Sequence, residues 1–356
     1  MAKALMGELV EEILLRLPPD DPASLVRATT MCRRWCRVVS APGFRRGFAE
    51  RHRAAPMLGF FANLRDGDED DEDDFVGRLV PATPFRPRHA DRRGTRALDA
   101  CHGCVLLTTT PWEPNLEVWD PVTGELRELP RPNLPWNAAV VCAAHGECDH
   151  LDCRGGPFLI VFLDGSGPEE MQVYVYPSEV GAWSGPTYGP PSSTYGVETV
   201  PTALVGNALY FLMDATNSIL QYDLAKQSVS MLHLPYGFES DFAVFTTSED
   251  GELGFANVEN SRLWLWSMET GPEGDAMWAL KRYIELVTLL QVDAAAIVND
   301  YVGFAHGVGV FFVKTEDVWF SIDLKSGRVR EEDCGDGDIA STSQANCSWM
   351  MEGGGG

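Results

Sequence analysis

Apolar positions along this chain follow two rhythms. Up to about residue 52 they recur every three or four residues, the spacing of a helix face; from Met57 onward they come as short runs and alternations, the spacing of strands. The first segment sets Leu9, Val10, Ile13, Leu14 and Leu17 on one side of a helix and Glu8, Glu11, Glu12 and Arg16 on the other, with Leu15 widening the apolar stripe. Pro18-Pro19 ends that helix, because proline lacks an amide donor and collides with the preceding turn. Asp21-Pro22 restarts one, Asp21 suiting the N-cap and Pro22 the first helical position. Leu25, Val26 and Ala28 carry its apolar side. A third helix is predicted from about Thr30, with Cys32, Trp35 and Val38 or Val39 on one face, Arg33, Arg34 and Arg37 on the other, and Ala41-Pro42-Gly43 as its end. Phe44 and Phe48 continue a short helix to about His52.

Three helices within about 40 residues bury too little surface to be stable alone. Some of these apolar side chains must therefore meet the rest of the chain or another protein.

Beyond the helices the chain repeats. Val118 opens VWDPVTGELRELP, Gln221 opens QYDLAKQSVSMLHLP, Leu265 opens LWSMETGPEG and Ser321 opens SIDLKSGRVREE; each sets an apolar residue before a turn. Asp starts a tight turn through its side chain and Gly tolerates positive φ, so these read as hairpin turns. A fifth segment, MQVYVYPSEVGAWSGP from Met171, has the alternation without the Asp. The matching positions are Trp119, Val175, Tyr222, Trp266 and Ile322, spaced by 56, 47, 44 and 56 residues. Their mean spacing is close to the ~50-residue period of kelch-type blades. Each period has room for four strands; from Asp241, AVFTTS, ELGFAN, RLWLWS and MWALKRYIEL make one set. A β-propeller of about six blades is predicted, the first irregular, over residues 54–333. A decorated β-sandwich is the other all-β solution, but it needs no such regular repeat. Residues 334–356 show little apolar periodicity and are predicted to be disordered.

Residues 1–53 also carry a family resemblance. The Leu17-Pro18 break, Leu25-Val26, and Cys32-Arg33-Arg34-Trp35 before the Pro42-x-Phe44 stop resemble an F-box, the helical module that docks on a Skp-type adaptor in cullin-based ubiquitin ligases. F-boxes usually open with Leu-Pro; here Leu5 is followed by Met6. The resemblance implies that Leu5, Leu9, Ile13, Leu14, Leu17, Pro18, Leu25, Val26, Cys32 and Trp35 contact the adaptor or hold the helices that do. The later segments VWDPVTGELRELP, YDLAKQSV, IDLKSGRV and LDCRGGPFLIVFL (from Leu151) resemble the kelch-like or F-box-associated repeats of plant F-box proteins, although the paired glycines of a kelch repeat are mostly missing. Together these resemblances imply a substrate-recognition subunit of a Skp-cullin-F-box ligase, not itself an enzyme. Its partners would be a Skp-type adaptor, a cullin through that adaptor, and a target protein.

Charge sharpens the picture. Residues 1–53 hold 10 Lys+Arg and 6 Asp+Glu, a balance of +4, so the whole-chain value of −24 leaves −28 for the remainder. A body this acidic repels phosphates, which argues against a nucleic-acid partner. Asp66 to Asp74 places eight acidic residues in nine, a self-repelling solvated loop whose spacing is not that of an EF-hand. No apolar run approaches the ~20 residues that cross a bilayer, and Glu8, Glu11 and Glu12 interrupt any signal-peptide core, so an intracellular protein without a membrane partner is expected. Nine cysteines, an odd number, then read as thiols.

Candidate chemistry is sparse. Cys142, His145, Cys148, His150 and Cys153 are all possible zinc ligands, but paired C-x-x-C knuckles are absent and the spacings fit no standard finger, so no metal is assigned. Cys101-His102-Gly103-Cys104 lies inside ALDACHGCVLLTTT, a run of strand character, and reads as buried cysteine with Cys101 and His102 on opposite faces. No phosphate-cradling glycine loop and no G-x-S-x-G occurs, and no cofactor is implied. For target binding, Trp112, Trp136, Trp183 and Tyr188 stand in Pro/Gly-rich connections, where loops carry recognition. The alternative is a propeller-type binder or enzyme whose N-terminal helices only cap the domain.

Overall fold

The computed structural model describes residues 9–17, 22–52, 57–65, 75–82, 87, 89–101, 103–109, 115–130, 137–144, 156–164, 171–189, 200–213, 218–235, 243–248, 251–271, 276–306, 308–316, 318–332 and 348–351. The acidic run 66–74 lies outside them.

Helix α1 covers 9–14, followed by α2 (Pro22–Met31), α3 (Arg33–Val39) and α4 (Pro42–His52). The helix expected from Thr30 starts later, because Cys32 is extended (φ −164°, ψ 157°) and separates α2 from α3. The Thr30 hydroxyl donates to the Arg27 carbonyl at 2.7 Å, a bond back along the last turn of α2. Pro42 does not end helical structure but begins α4, where its missing amide costs nothing. Leu14, Ala28, Phe44 and Phe48 form the core of these helices, with Val10, Leu17, Leu25, Trp35, Val38 and Val39 packed around it. Phe44 and Phe48 stack at 6.0 Å, His52 hydrogen-bonds the Leu15 carbonyl at 3.0 Å, and Arg51 reaches Glu12 at 3.4 Å, so α4 clasps α1.

The remainder is β-structure. Strands β1 (Met57–Arg65), β2 (Phe75–Pro81), β3 (Asp91–Arg93), β4 (Thr95–Cys101), β5 (Cys104–Thr109), β6 (Leu116–Trp119) and β7 (Leu126–Leu129) come first. Next are β8 (Asn137–Cys142), β9 (Phe158–Asp164), β10 (Gln172–Pro177) and β11 (Thr187–Tyr188), then β12 (Ala203–Val205), β13 (Ala208–Leu212), β14 (Ser218–Asp223) and β15 (Ser228–His233). They are followed by β16 (Val244–Thr247), β17 (Leu253–Glu259), β18 (Arg262–Thr270), β19 (Ala276–Glu285), the short helix α5 (Leu286–Leu290), β20 (Ile297–Ala305), β21 (Val310–Thr315), β22 (Trp319–Asp323), β23 (Val329–Glu332) and β24 (Ser348–Met351).

Strands β8–β11, β12–β15, β16–β19 and β20–β23 each form a separate four-stranded sheet, in the order that the chain lays them down; β8–β11 and its successors are antiparallel throughout. The sheets pack face to face in sequence. One cluster joins β4–β7 to β8–β10, the next β8–β10 to β13–β14, then β12–β14 to β16–β17, and then β16–β18 to β20–β22. Phe60 and Val76 of β1 and β2 pack on Phe312 and Trp319 of β21 and β22, which returns the last sheet to the first and closes a ring. This is a β-propeller arrangement.

The number of separate blades differs from the six expected. Among the described residues four are discrete, and the remaining strands form one eight-stranded sheet, β24-β1-β2-β4-β5-β6-β7 with β3 on β2. The physical reason is a parallel bridge, Val76 opposite Thr95, which hydrogen-bonds β2 to β4 and joins what would have been two blades. The tail also departs from expectation: Ser348–Met351 is a strand, antiparallel to β1 with Phe60 opposite Trp349. An open edge on β1 supplies the hydrogen bonds that tail could not make alone.

The repeat positions hold. Trp119, Val175, Tyr222, Trp266 and Ile322 lie on β6, β10, β14, β18 and β22, the third strand of each four-strand set. Three of the predicted turns form through aspartate: Asp120 Oδ1 accepts from Val122 N, Asp223 Oδ1 from Ala225 and Lys226 N, and Asp323 Oδ1 from Lys325 and Ser326 N. Gly124 and Gly327 close the first and third of these at φ +76° and +68°. The turn expected in LWSMETGPEG comes later than predicted, since β18 runs on to Thr270.

Polar side chains tie together segments that are not paired as neighbouring strands. Asn63 of β1 donates to the Ala97 carbonyl of β4 at 3.0 Å and accepts from the Ala97 amide at 2.8 Å. Asp99 of β4 accepts from the Val140 amide of β8 at 2.9 Å, and Asn137 of β8 donates to the Val200 carbonyl at 3.2 Å. All three are at least nine-tenths buried. Removing the Asn63 amide strands a buried donor and acceptor together, so Asn63→Ala should cost about 2 kcal/mol in urea denaturation, and Asn63→Asp, which keeps only the acceptor, should not restore it.

Candidate functional site

The helical module presents the clearest unpartnered surface. On α1 the stripe predicted from sequence divides. Leu14 is 1% exposed and forms the core, while Leu9 and Ile13, one turn apart, are each 58% exposed. Met31, at the end of α2, is 73% exposed. Leu17, Leu25 and Trp35 are half-buried against the core, and Cys32 is exposed. Leu5 and Pro18 lie outside the described residues, as does the side chain of Val26. So the seven described residues of the ten named from the resemblance separate into a surface pair, Leu9 and Ile13, a set that holds the helices together, Leu14, Leu17, Leu25 and Trp35, and the exposed thiol of Cys32.

Around the apolar pair the module carries charge of both signs. Arg16 pairs with Glu12 at 2.9 Å and Arg46 with Glu50 at 2.9 Å, both one helical turn apart and solvent-exposed. Such exposed pairs contribute little stability.

On the sheets, two of the four predicted contact residues are described, Trp183 and Tyr188, and they differ in exposure. Tyr188 is 58% exposed on β11. Trp183 is turned inward: its ring lies 5.8 Å from Phe162 and 5.3 Å from Tyr176, and its indole N–H donates to the Pro130 carbonyl. It is half-buried and serves packing, its ring given apolar cover and its N–H an acceptor. Trp112 and Trp136 lie outside the described residues.

A different aromatic group, missed in the sequence, stands on the β18–β19 hairpin. The Arg262 guanidinium lies 5.3 Å from the Tyr283 ring and donates to Glu285 at 2.7 Å, and Trp264 meets Tyr283 at 5.3 Å. Met277, Leu280 and Tyr283, all on the sheet's last strand β19, are 49%, 43% and 52% exposed. The signal was present in MWALKRYIEL, whose apolar residues continue through a bulge between Leu265 and Trp266 on the paired strand. Trp, Tyr and Arg are the side chains that dominate protein interfaces.

The strongly perturbed titratable groups are interior. Burial pushes the Asp99 carboxyl up to about 7, against hydrogen bonds from Val140, Ala100 and Thr202 that pull it down. Burial pushes His306 down to about 4, which keeps the ring beside Phe304 neutral. Among the described residues no group of three or more His, Cys, Asp or Glu side chains could hold a metal. Of the predicted Cys/His cluster, Cys142 is buried at the end of β8, and His145, Cys148, His150 and Cys153 lie outside the described residues. No described helix is long and apolar enough to cross a membrane.

No protein-family model matches the chain. An F-box protein of Arabidopsis thaliana is 24% identical over 142 residues, 40% of this chain and 34% of its own length. The chain thus matches about a third of that relative. Among solved structures, the β-propeller domain of Cps50 (Swd1) from Myceliophteria thermophila covers 78% of this chain and 91% of its own, with 11% identity and a TM-score of 0.41. A functionally unknown protein from Desulfotomaculum acetoxidans covers 82% and 88%, with 12% identity and a TM-score of 0.43.

Proposed function

We propose that this chain is a substrate-recognition subunit of a Skp-cullin-F-box ubiquitin ligase. The helices dock on a Skp-type adaptor, and the propeller arrangement holds a target protein. The observation that carries this reading is the division of α1: its core residue Leu14 is fully used inside the module, while Leu9 and Ile13 remain exposed and, among the described residues, outside that core. Likeness to an F-box protein supports it. Under this reading the chain performs no bond chemistry. It contributes proximity, holding a target beside a ligase-bound ubiquitin donor. The Arg262, Trp264 and Tyr283 group is the surface best suited by composition to the target.

The division also selects the test. Leu14→Asp would unfold the module and report nothing about docking, whereas Leu9→Asp/Ile13→Asp changes only the surface. Burying two such side chains contributes about 3 kcal/mol or more, so the double variant should bind a purified Skp-type adaptor about 100-fold more weakly than the wild-type chain while its circular dichroism and melting are unchanged. Equal adaptor binding by the two proteins, or no binding by the wild type at tens of micromolar, would overturn the proposal.

A further inference from the structure

We propose that Cys101 and Cys104 are a modification site, a dithiol pair closed reversibly to a disulfide by a low-molecular-weight disulfide. The segment read from sequence as one continuous strand is in fact a hairpin. β4 ends at Cys101, β5 begins at Cys104, and the two cysteines are direct cross-strand partners. Gly103, at φ +75°, supplies the positive φ that a two-residue turn needs. Facing residues of an antiparallel pair have Cα atoms about 4.5–5.5 Å apart with side chains on one face, inside the roughly 4.4–6.8 Å span of disulfides; their Cβ atoms, about 4.5–5.5 Å apart, must close to roughly 3.5–4.5 Å as the bond forms.

Exposure and surroundings suit the same chemistry. Both are thiols and both are half-buried, at the margin of the cluster built by Leu98, Leu106 and Tyr176. They are therefore reachable from solvent yet held in place by packing. The other described cysteines are arranged differently: Cys32 and Cys36 are exposed one helical turn apart, and Cys142 is buried. Among the described residues no third His, Cys, Asp or Glu side chain completes a metal site with this pair, and two facing thiols are suited to exchange.

The exchange balances. One thiolate attacks a sulfur of the small disulfide, forming a mixed disulfide and releasing one small thiol. The facing thiolate then attacks the protein sulfur and releases the second. The protein pair gives up two electrons and two protons, and the small disulfide takes them up as two thiols. The resulting bond staples the hairpin that carries Asp99.

The test uses the full chain equilibrated in oxidised and reduced glutathione, alkylated, digested and mapped by mass spectrometry. The expected product is a Cys101–Cys104 linked peptide, lighter by two hydrogens, with the two thiols lost together and regained on reduction. In Cys101→Ser, Cys104 should instead carry a glutathione adduct, and Cys104→Ser should show the reciprocal adduct, which reports the pair even if a variant is less stable. Independent alkylation of the two thiols in the wild type, stable glutathione adducts on both, or protection of both only after adding zinc would each overturn the proposal.

Discussion

Phe312→Ala should destabilise the sheets by about 3–5 kcal/mol, a cost set by lost transfer energy and the cavity left behind. Phe312 is 0% exposed and its ring meets Phe60 at 4.9 Å across the seam between the last sheet and the first. That seam differs from the others in one respect. Every other junction is made between segments near in sequence, but this one joins β1 to β21, about 250 residues apart by the spacing of Phe60 and Phe312, so it pays the largest loop-closure entropy. Losing it opens the ring. Phe211→Ala, an equally buried phenylalanine in the seam between β8–β10 and β13–β14, provides the comparison. If the ring is one cooperative unit, both variants will show a single urea transition with unchanged slope and lowered midpoint. If the seam at Phe312 were not part of the fold, its variant would match wild type. In the double variant with Phe60→Ala, the loss should be less than the sum, because the two rings share one contact.

The blades were legible because their signals are local. Alternation, an Asp that turns the chain through its own carboxylate, and a glycine with positive φ all act within five residues, so Trp119, Tyr222 and Ile322 could be matched before any sheet was known. What the sequence hid was non-local. The Val76–Thr95 bridge that merges β2 with β4 is one parallel contact between chain segments, and β24 exists as a strand because β1 offers it an edge. The hairpin at Cys101 was hidden differently: apolar residues on both sides of a two-residue turn look like one strand unless the glycine is given its turn role.

The helical site was half legible. Leu9, Ile13 and Leu14 share one stripe, and periodicity alone cannot rank them. The ranking comes from α4, whose Phe44 and Phe48 cover Leu14 and stop there. Trp183 failed for a similar reason, since a Pro/Gly-rich connection suggested exposure, while Phe162, Tyr176 and the Pro130 carbonyl take up its ring and its N–H.

Wild-type stability should fall by about 4 kcal/mol as pH rises from about 4 to about 7, through Asp99 alone. Its carboxyl is pushed from 3.8 to about 7, chiefly because burial disfavours the charged form. An unfolded chain releases this proton near 3.8, but the folded chain keeps it to about 7. Between those values the folded state holds more protons, so stability decreases with rising pH; it is fully present below 3.8 and lost as pH passes through 7. Three pH units at about 1.4 kcal/mol each set the size. Asp99→Asn removes the titration. It also places an amide donor where the carboxylate accepts from Val140 and Ala100, which should cost about 1–3 kcal/mol at pH 4. The two stability curves should therefore cross between pH 4 and 7, wild type being the more stable below the crossing and the variant equal or better above it. Measuring urea unfolding of both proteins at half-unit steps isolates this group, since every other titration cancels in the difference. Parallel curves would mean that Asp99 is ionised throughout, its charge carried by the amides that stitch β4 to β8.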